Sequence, residues 1–516
     1  MHSDPRIDSY WRHLKLSHRP LQRKAQGRLH ILPRQGRVMV KKSDLVNSKT
    51  HKPLQLRNTA LLSLDGGGLR GILTGVILEE AERVVKDVIQ HDNLLPPHHR
   101  HLQPDEWGID LADYFECVAG ASAGSMLALY VASKGGAALE SVQDWLPRDP
   151  WAHHQLHEGS AAVAWRIIRH KADDIFTPPW KQWLRFWSTD WYRALLPFAS
   201  GVFWAKYSAA GLRETLQLMM GTQLRLSELH TSVVIPSYEL ETSSPFTFWH
   251  KHSSLASDRA TGYIAMQRSE EKGVSKNALS MSGGVQLVNG RDFKVWEVAC
   301  ASAAAPTFFP SAEINTTPDQ AQETRRTFVD GGLIANNPTI QGLTFMLGEL
   351  GQDMDNIAVL SIGTGSAVKD LRKGTLKSRG RGWGMLEWIL PNQGNIVTTI
   401  MDGSSEASQA IVEVFFKDKL GPAQESGKQH SRLLRIQKTV DDAQDAKHMS
   451  DKDVPNMRLS DMVKVLSEMD RLDYIDELVE VGQATAKGHR QKMQDFVRYS
   501  LFGEVEQDSI STNDAG

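Results

Sequence analysis

The chain has 516 residues, of which 41% are hydrophobic and 23% charged, with a formal net charge of -2 and two cysteines. These totals describe an ordinary globular protein, long enough for one large domain with additions or for two domains. They exclude a disulfide framework and argue against nucleic acid as the main partner.

The charge is unevenly placed, because residues 1–58 carry 14 Lys and Arg against 3 Asp, leaving -13 on the remainder. This basic stretch reads as a partly disordered N-terminal extension. Its start, MHSDPRIDSYWRHLK, lacks the apolar core of a secretory signal, and no stretch supplies the ~20 apolar residues of a membrane span. An intracellular protein is expected, cytoplasmic or resting on a membrane surface, with organelle targeting as the other reading of the basic arm.

From residue 59 the pattern is α/β. TALLSLD reads as a buried strand, GGGLRG as a turn and ILTGVILEEAERVVKDVI as a helix. The same grammar then repeats with YFECVA, GASAG and SMLALYVASKGG. Further strands are expected in SVVIPSYEL, TFVD and IAVLSIGTG. Residues 267–289 read as a polar surface loop. Beyond residue 365 the chain turns helical and polar, with a Lys-, Asp- and Gln-rich passage at about 421–453 and an acidic tail. The predicted architecture is a mostly parallel sheet covered by helices.

Three short segments could carry chemistry. LDGGGLRG contains G-x-G-x-x-G at Gly66, Gly68 and Gly71, which can cradle a pyrophosphate when a strand precedes it and an acidic residue ends the next strand about 20 residues later. Residues 88–106, VIQHDNLLPPHHRHLQPDE, form a Pro- and His-rich loop instead, and the dinucleotide reading falls. GASAG, residues 120–124, matches G-x-S-x-G: Gly120 and Gly124 free a tight turn of side chains, and the following helix directs its dipole at Ser122. Serine needs a base. Among 19 histidines, His250 and His252 are the best placed, while RTFVDGGLIANNP marks an aspartate, Asp330, at a strand end before Gly331 and Gly332.

In that order, D-G-G-G-x-R-G, G-x-S-x-G and D-G-G resemble the motifs of the patatin-like phospholipase family. YSAAGLRETLQLMMGTQLRLSEL, VACASAAAPTFFP and VLSIGTG add weaker similarity, and LPNQGNIVTTIMDGSSEAS extends it loosely. The resemblance covers about residues 59–365 and implies a three-layer α/β catalytic domain there, while composition and residue spacing mark a Trp-rich helical insert at about 145–205 and a helical C-terminal region with an acidic tail at 366–516. It also implies a serine lipid acyl hydrolase that cleaves fatty acyl esters of glycerophospholipids or related glycerolipids, with no cofactor and no metal. In that scheme Ser122 attacks the ester and Asp330 takes its proton. Backbone N–H groups of Gly66, Gly67 and Gly68 meet the oxyanion, each worth roughly 2.7 to 4 kcal/mol of barrier. For Arg70 two roles stay open, oxyanion contact and anchoring of the loop, and Asp65 is expected to hold the loop. An aspartate base has an ordinary pKa near 3.9, so activity is expected to fall only on the acid side unless burial raises it. The rival readings are a lipid transacylase and a non-catalytic lipid-binding protein.

Eight of the 14 tryptophans fall between Trp145 and Trp204. Trp180, Trp183, Trp187 and Trp191 follow helical spacing, so their face either packs as core or docks on a lipid surface. The clusters His98, His99, His101 and His153, His154, His157 lack the spacing of a metal site. Both cysteines, Cys117 and Cys300, sit in apolar runs and read as buried structural thiols.

Overall fold

The structure, a computed structural model of the chain, describes residues 38–54, 58–135, 160–178, 205–253, 258–266, 285–315, 325–368, 396–417, 431–441, 454 and 457–503. The described residues fall within one compact unit, Arg37–Gly516. Most of the basic arm, the tryptophan stripe at 180–191 and the acidic tail lie outside them. The end of the basic stretch packs on the body: Val38–Met39 pairs with Trp107–Gly108, and the Tyr114 hydroxyl donates to the Val40 carbonyl at 2.9 Å.

The strands of the main sheet are β1 (Thr59–Leu64), β2 (Cys117–Gly120), β3 (Ser232–Glu239), β4 (Ser244–Lys251), β5 (Ala260–Met266), β6 (Val285–Asn289), β7 (Ala312–Asn315), β8 (Arg325–Asp330), β9 (Ile357–Ile362) and β10 (Leu433–Ile436). The helices that matter for the site are α1 (Gly71–His91), α2 (Ala123–Ala132), α3 (Ser160–His170), α4 (Ala209–Met220), α5 (Val295–Ala303), α6 (Gly332–Ala335), α7 (Thr339–Gly348), α8 (Ile396–Lys417), α9 (Leu459–Ser467) and α10 (Ile475–Asp495).

The ten strands form one mixed sheet. From β10 through β9, β1 and β2 to β3 the pairings are parallel, and β4, β5 and β6 continue from β3 in antiparallel order. Parallel strands covered on both faces read as unbroken apolar runs. TALLSL and IAVLSI come near to this, interrupted by Thr59, Ser63 and Ser361, and alternate residues choose opposite layers. Leu62 and Leu64 join the core under α1, α2 and α10, whereas Leu61 packs with Val359, Leu343, Met346 and Val412 under α7 and α8. The result is three layers, helix on sheet on helix.

Two departures from the sequence reading concern strands. Val285–Asn289, read as the end of a surface loop, pairs antiparallel with β5 at the sheet's margin, because the outer edge of β5 offers it a backbone ladder. Leu433–Ile436, inside the polar passage, pairs in parallel with β9. Residues beyond 365 thus complete the same sheet, and α10 packs lengthwise on α1, helped by the Arg498 guanidinium on Asp92 at 2.8 Å.

One topological detail builds the site. β2 is short and pairs only with the first half of β3, Val118 facing Val233 and Ala119 facing Val234. β8 takes the second half of the same edge in the opposite direction, with Asp330 facing Ser237. The C-terminal ends of β2 and β8 therefore meet at Pro236. That residue brings no N–H to the gap, and its carbonyl accepts the Ser302 hydroxyl at 2.7 Å.

Candidate active site

Beyond Gly120 the chain reverses into α2 through Ser122, whose backbone lies at φ 51° and ψ -124°. A residue with a side chain is strained there by about 1–3 kcal/mol, and such strain persists only where neighbours enforce it. Here they do so by close contact: a Cβ on Gly124 would lie 2.2 Å from the Leu64 carbonyl oxygen, so the start of α2 rests on the end of β1. The Ser122 N–H donates to Ser302 Oγ at 3.1 Å, fixing the turn from behind. α2 then points its N-terminus at the Ser122 side chain, a favourable field for negative charge.

Asp330 closes β8 directly opposite. Ser122 Oγ donates to Asp330 Oδ2 at 2.6 Å, and the Gly332 N–H donates to Oδ1 at 2.7 Å. Asp330 is fully buried. That burial lifts its pKa from the ordinary 3.8 to about 7, and the Ser122 and Gly332 hydrogen bonds oppose the rise without cancelling it. The carboxyl is thus poised near neutrality. A proton can pass from a serine hydroxyl to it and back to a leaving alcohol.

The glycine loop lies beside this pair. The Gly66 N–H, expected to face an oxyanion, donates instead to the Asn336 carbonyl at 2.9 Å, which takes it out of the donor set. Gly67 and Gly68 have N–H groups that bond to nothing among the described residues, and Gly68 lines the same pocket as Ser122. Gly68 has φ 57°, and a Cβ there would lie 2.4 Å from the Met469 carbonyl oxygen. The Leu69 N–H donates to that same oxygen at 2.7 Å. Nearby, a Cβ on Gly71 would press within 2.8 Å of the Ala123 Cβ, and one on Gly331 within 2.0 Å of the Pro236 oxygen.

Of the two roles open to Arg70, its contacts are those of an anchor. The side chain is fully buried and donates to the Leu466 carbonyl at 2.7 Å, the Gly365 carbonyl at 3.1 Å and Asp402 Oδ1 at 3.1 Å. Asp65 holds the other end of the loop, accepting Ser405 Oγ at 2.8 Å and both Nη atoms of Arg435 at 2.8 and 2.5 Å. Ser302, Asn336, Asp402, Arg435 and Met469 were not singled out from the sequence. Ser302 and Asp402 lie in segments that carry the family resemblance, which is a signal; Arg435 and Met469 have none, being single residues outside any motif.

An apolar pocket opens at Ser122, with Met126, Ile175, Phe176, Leu212, Phe309 and Met469 on its walls. Its lining suits an acyl chain rather than a charged substrate. The described histidines are not among its lining residues. His250 is buried in β4 opposite Val233, where desolvation lowers its pKa to about 4, and His252 faces the Leu229 carbonyl. His98, His99 and His101 lie on a surface turn, and His153, His154 and His157 fall outside the described residues. Cys117 is buried in the core beneath α7, and Cys300 is half-buried on α5.

Fold and site together define an acyl hydrolase of the α/β class, with a strained serine on the turn after a central strand and a lipophilic pocket in front of it. The patatin-like phospholipase family model matches residues 62–343, more than half of the chain, and the chain belongs to that family. It is a lipid acyl hydrolase. Among curated relatives, patatin-like protein 1 of Arabidopsis thaliana is 26% identical over 381 residues, covering 71% of this chain and 72% of the relative. The cGAMP-activated phospholipase of Escherichia coli is 27% identical over 309 residues, 59% of this chain and 61% of that protein. A cGAMP-activated phospholipase of Vibrio cholerae is 25% identical over 360 residues, 68% of this chain and 76% of the relative.

Proposed function

We propose that the enzyme hydrolyses fatty acyl esters of glycerophospholipids or related glycerolipids through an acyl-serine intermediate, with Ser122 as nucleophile and Asp330 as the proton acceptor. The observation that carries this reading is the 2.6 Å hydrogen bond to a fully buried carboxylate from the Oγ of Ser122, which lines an apolar pocket. As Oγ bonds to the ester carbon, its proton passes to Asp330 Oδ2 and the carbonyl π pair moves onto oxygen. The N–H groups of Gly67 and Gly68 receive that oxyanion. Collapse breaks the ester C–O bond, and the departing alkoxide takes the proton from Asp330. A water then attacks the acyl-Ser122 carbonyl, Asp330 accepts its proton, and collapse of the second tetrahedral intermediate returns that proton to Ser122 Oγ and frees the fatty acid. A carboxyl with a pKa of about 7 suits both halves, basic enough to take the proton and acidic enough to return it.

Contact with a lipid surface from one side is part of the proposal. Among the described residues no helix is long and apolar enough to cross a membrane. α8, which carries the Arg70 anchor Asp402, leaves Ile396, Ile400, Ile411, Val414 and Phe415 exposed along its length. Mass-spectrometric profiling of products from a mixed lipid extract tests the proposal. Release of free fatty acid and lysolipid by the wild type and none by Ser122→Ala is the expected outcome. Equal release by Ser122→Ala, or transfer of the acyl group to added monoacylglycerol in place of water, would contradict it.

A further inference from the structure

The short segment between α9 and α10 touches the active site on two sides at once. Through its backbone, the Met469 carbonyl takes the Leu69 N–H at 2.7 Å and lies over Gly68. Through its side chain, Met469 is a wall of the pocket that also holds Ser122, and its sulfur accepts the Thr398 hydroxyl at 3.3 Å. The side chain is 5% exposed and packs with Val397 and Met401 of α8.

The next residue fastens this segment to the far wall. Asp470 Oδ2 accepts Lys206 Nζ at 2.5 Å and the Tyr207 hydroxyl at 2.5 Å. Lys206 and Tyr207 are themselves laid against residues 307–308 by backbone hydrogen bonds at 2.9 and 2.8 Å. Tyr207 also meets Phe176 edge-on, with ring centroids 5.2 Å apart, and Phe176 and Phe309 line the pocket. Asp470 is therefore a latch across the pocket, tying the aromatic wall to the methionine wall.

We infer that Met469 is a specificity-determining residue for the acyl chain and that the Asp470 latch to Lys206 and Tyr207 positions it. The inference rests on the acyl hydrolase reading of Ser122. Two properties follow from the geometry. The Met469 contact to the Leu69 N–H is made by the backbone carbonyl, so a side-chain replacement acts first on the pocket wall. The room released or filled lies on the acyl side, where each methylene that gains apolar contact raises kcat/KM about fourfold.

The test uses the whole protein and p-nitrophenyl butyrate, octanoate and palmitate in mixed micelles. For Met469→Ala the palmitate-to-butyrate ratio of kcat/KM is expected to rise about fourfold or more. Met469→Trp is expected to lower the ratio by a similar factor. Asp470→Ala is expected to move the ratio in the same direction as Met469→Ala, and to add less than about twofold when introduced into Met469→Ala, because both changes release one wall. Labelling of Ser122 by a fluorophosphonate reports an intact site in every variant; if Met469→Ala loses it, Met469→Trp and Met469→Leu carry the comparison. Ratios that stay within about twofold of wild type in labelled Met469 variants would overturn the inference, as would full additivity of the Asp470 and Met469 changes. Ester hydrolysis that survives Ser122→Ala would instead overturn the hydrolase reading, so the two failures are distinct.

Discussion

Asp330 links activity and stability through one proton, and the link can be measured. Burial lifts its pKa from 3.8 to about 7. At about 1.36 kcal/mol for every tenfold, the fold favours the protonated carboxyl by about 4 kcal/mol. If Asp330 acts as the proposed base, it does so as the carboxylate, so kcat/KM on a soluble ester should rise tenfold per pH step up to about 7 and level off above; at about pH 5 it should stand near 1% of the plateau. Stability runs the other way. Because the folded pKa lies above the unfolded one, the contribution of Asp330 to stability is full below about pH 4 and is lost as pH rises through about 7. Asp330→Asn carries no charge at any pH. Its urea denaturation should therefore match wild type at about pH 4 and exceed it at about pH 8.5 by up to about 4 kcal/mol, while its hydrolysis is lost. An acid limb centred near 4, together with a stability difference that does not change with pH, would refute the reasoning.

Three other perturbations test the surrounding structure. Arg435→Met leaves the buried Asp65 carboxylate with Ser405 alone, which should cost about 3–5 kcal/mol in urea denaturation; a loss under about 1 kcal/mol would contradict the anchoring role. Gly68→Ala must place a Cβ at positive φ against the Met469 oxygen, and the displaced N–H should lower kcat by roughly 100- to 1000-fold, read in steady-state kinetics with circular dichroism to check the fold. Burial pushes the thiols of Cys117 and Cys300 well above their ordinary pKa. Iodoacetamide at about pH 8 should accordingly leave activity intact, and rapid inactivation would mean that one thiol is open to solvent.

The parts of the site legible in the sequence are those whose logic is local. β1 with its glycine turn and α1, and β2 with the Ser122 turn and α2, are contiguous stretches in which apolar period and glycine placement agree. Asp330 was legible for the same reason, as a strand end followed by two glycines. Arg70 could not be settled locally, because the oxygens it meets belong to Gly365, Asp402 and Leu466, hundreds of positions away. The Gly66 N–H looked available until the Asn336 carbonyl was brought to it by the approach of β8's end to β1's end. Arg435 lies 370 positions from Asp65 in a passage whose composition signals only solvation. The expected acid limit lies near 7 rather than near 4 because residue type sets only the ordinary pKa, whereas burial, a property of the packed fold, raises it.

The central claim is that an acyl group passes through Ser122. Rapid mixing with excess p-nitrophenyl octanoate, acid quench and intact-mass spectrometry test it directly. Wild type should gain the mass of one octanoyl group in place of a hydrogen, mapped by proteolysis to the peptide holding residues 120–124, alongside a burst of nitrophenol. Ser122→Ala should show neither. An acyl adduct on another residue, or a nitrophenol burst undiminished in Ser122→Ala, would contradict the account.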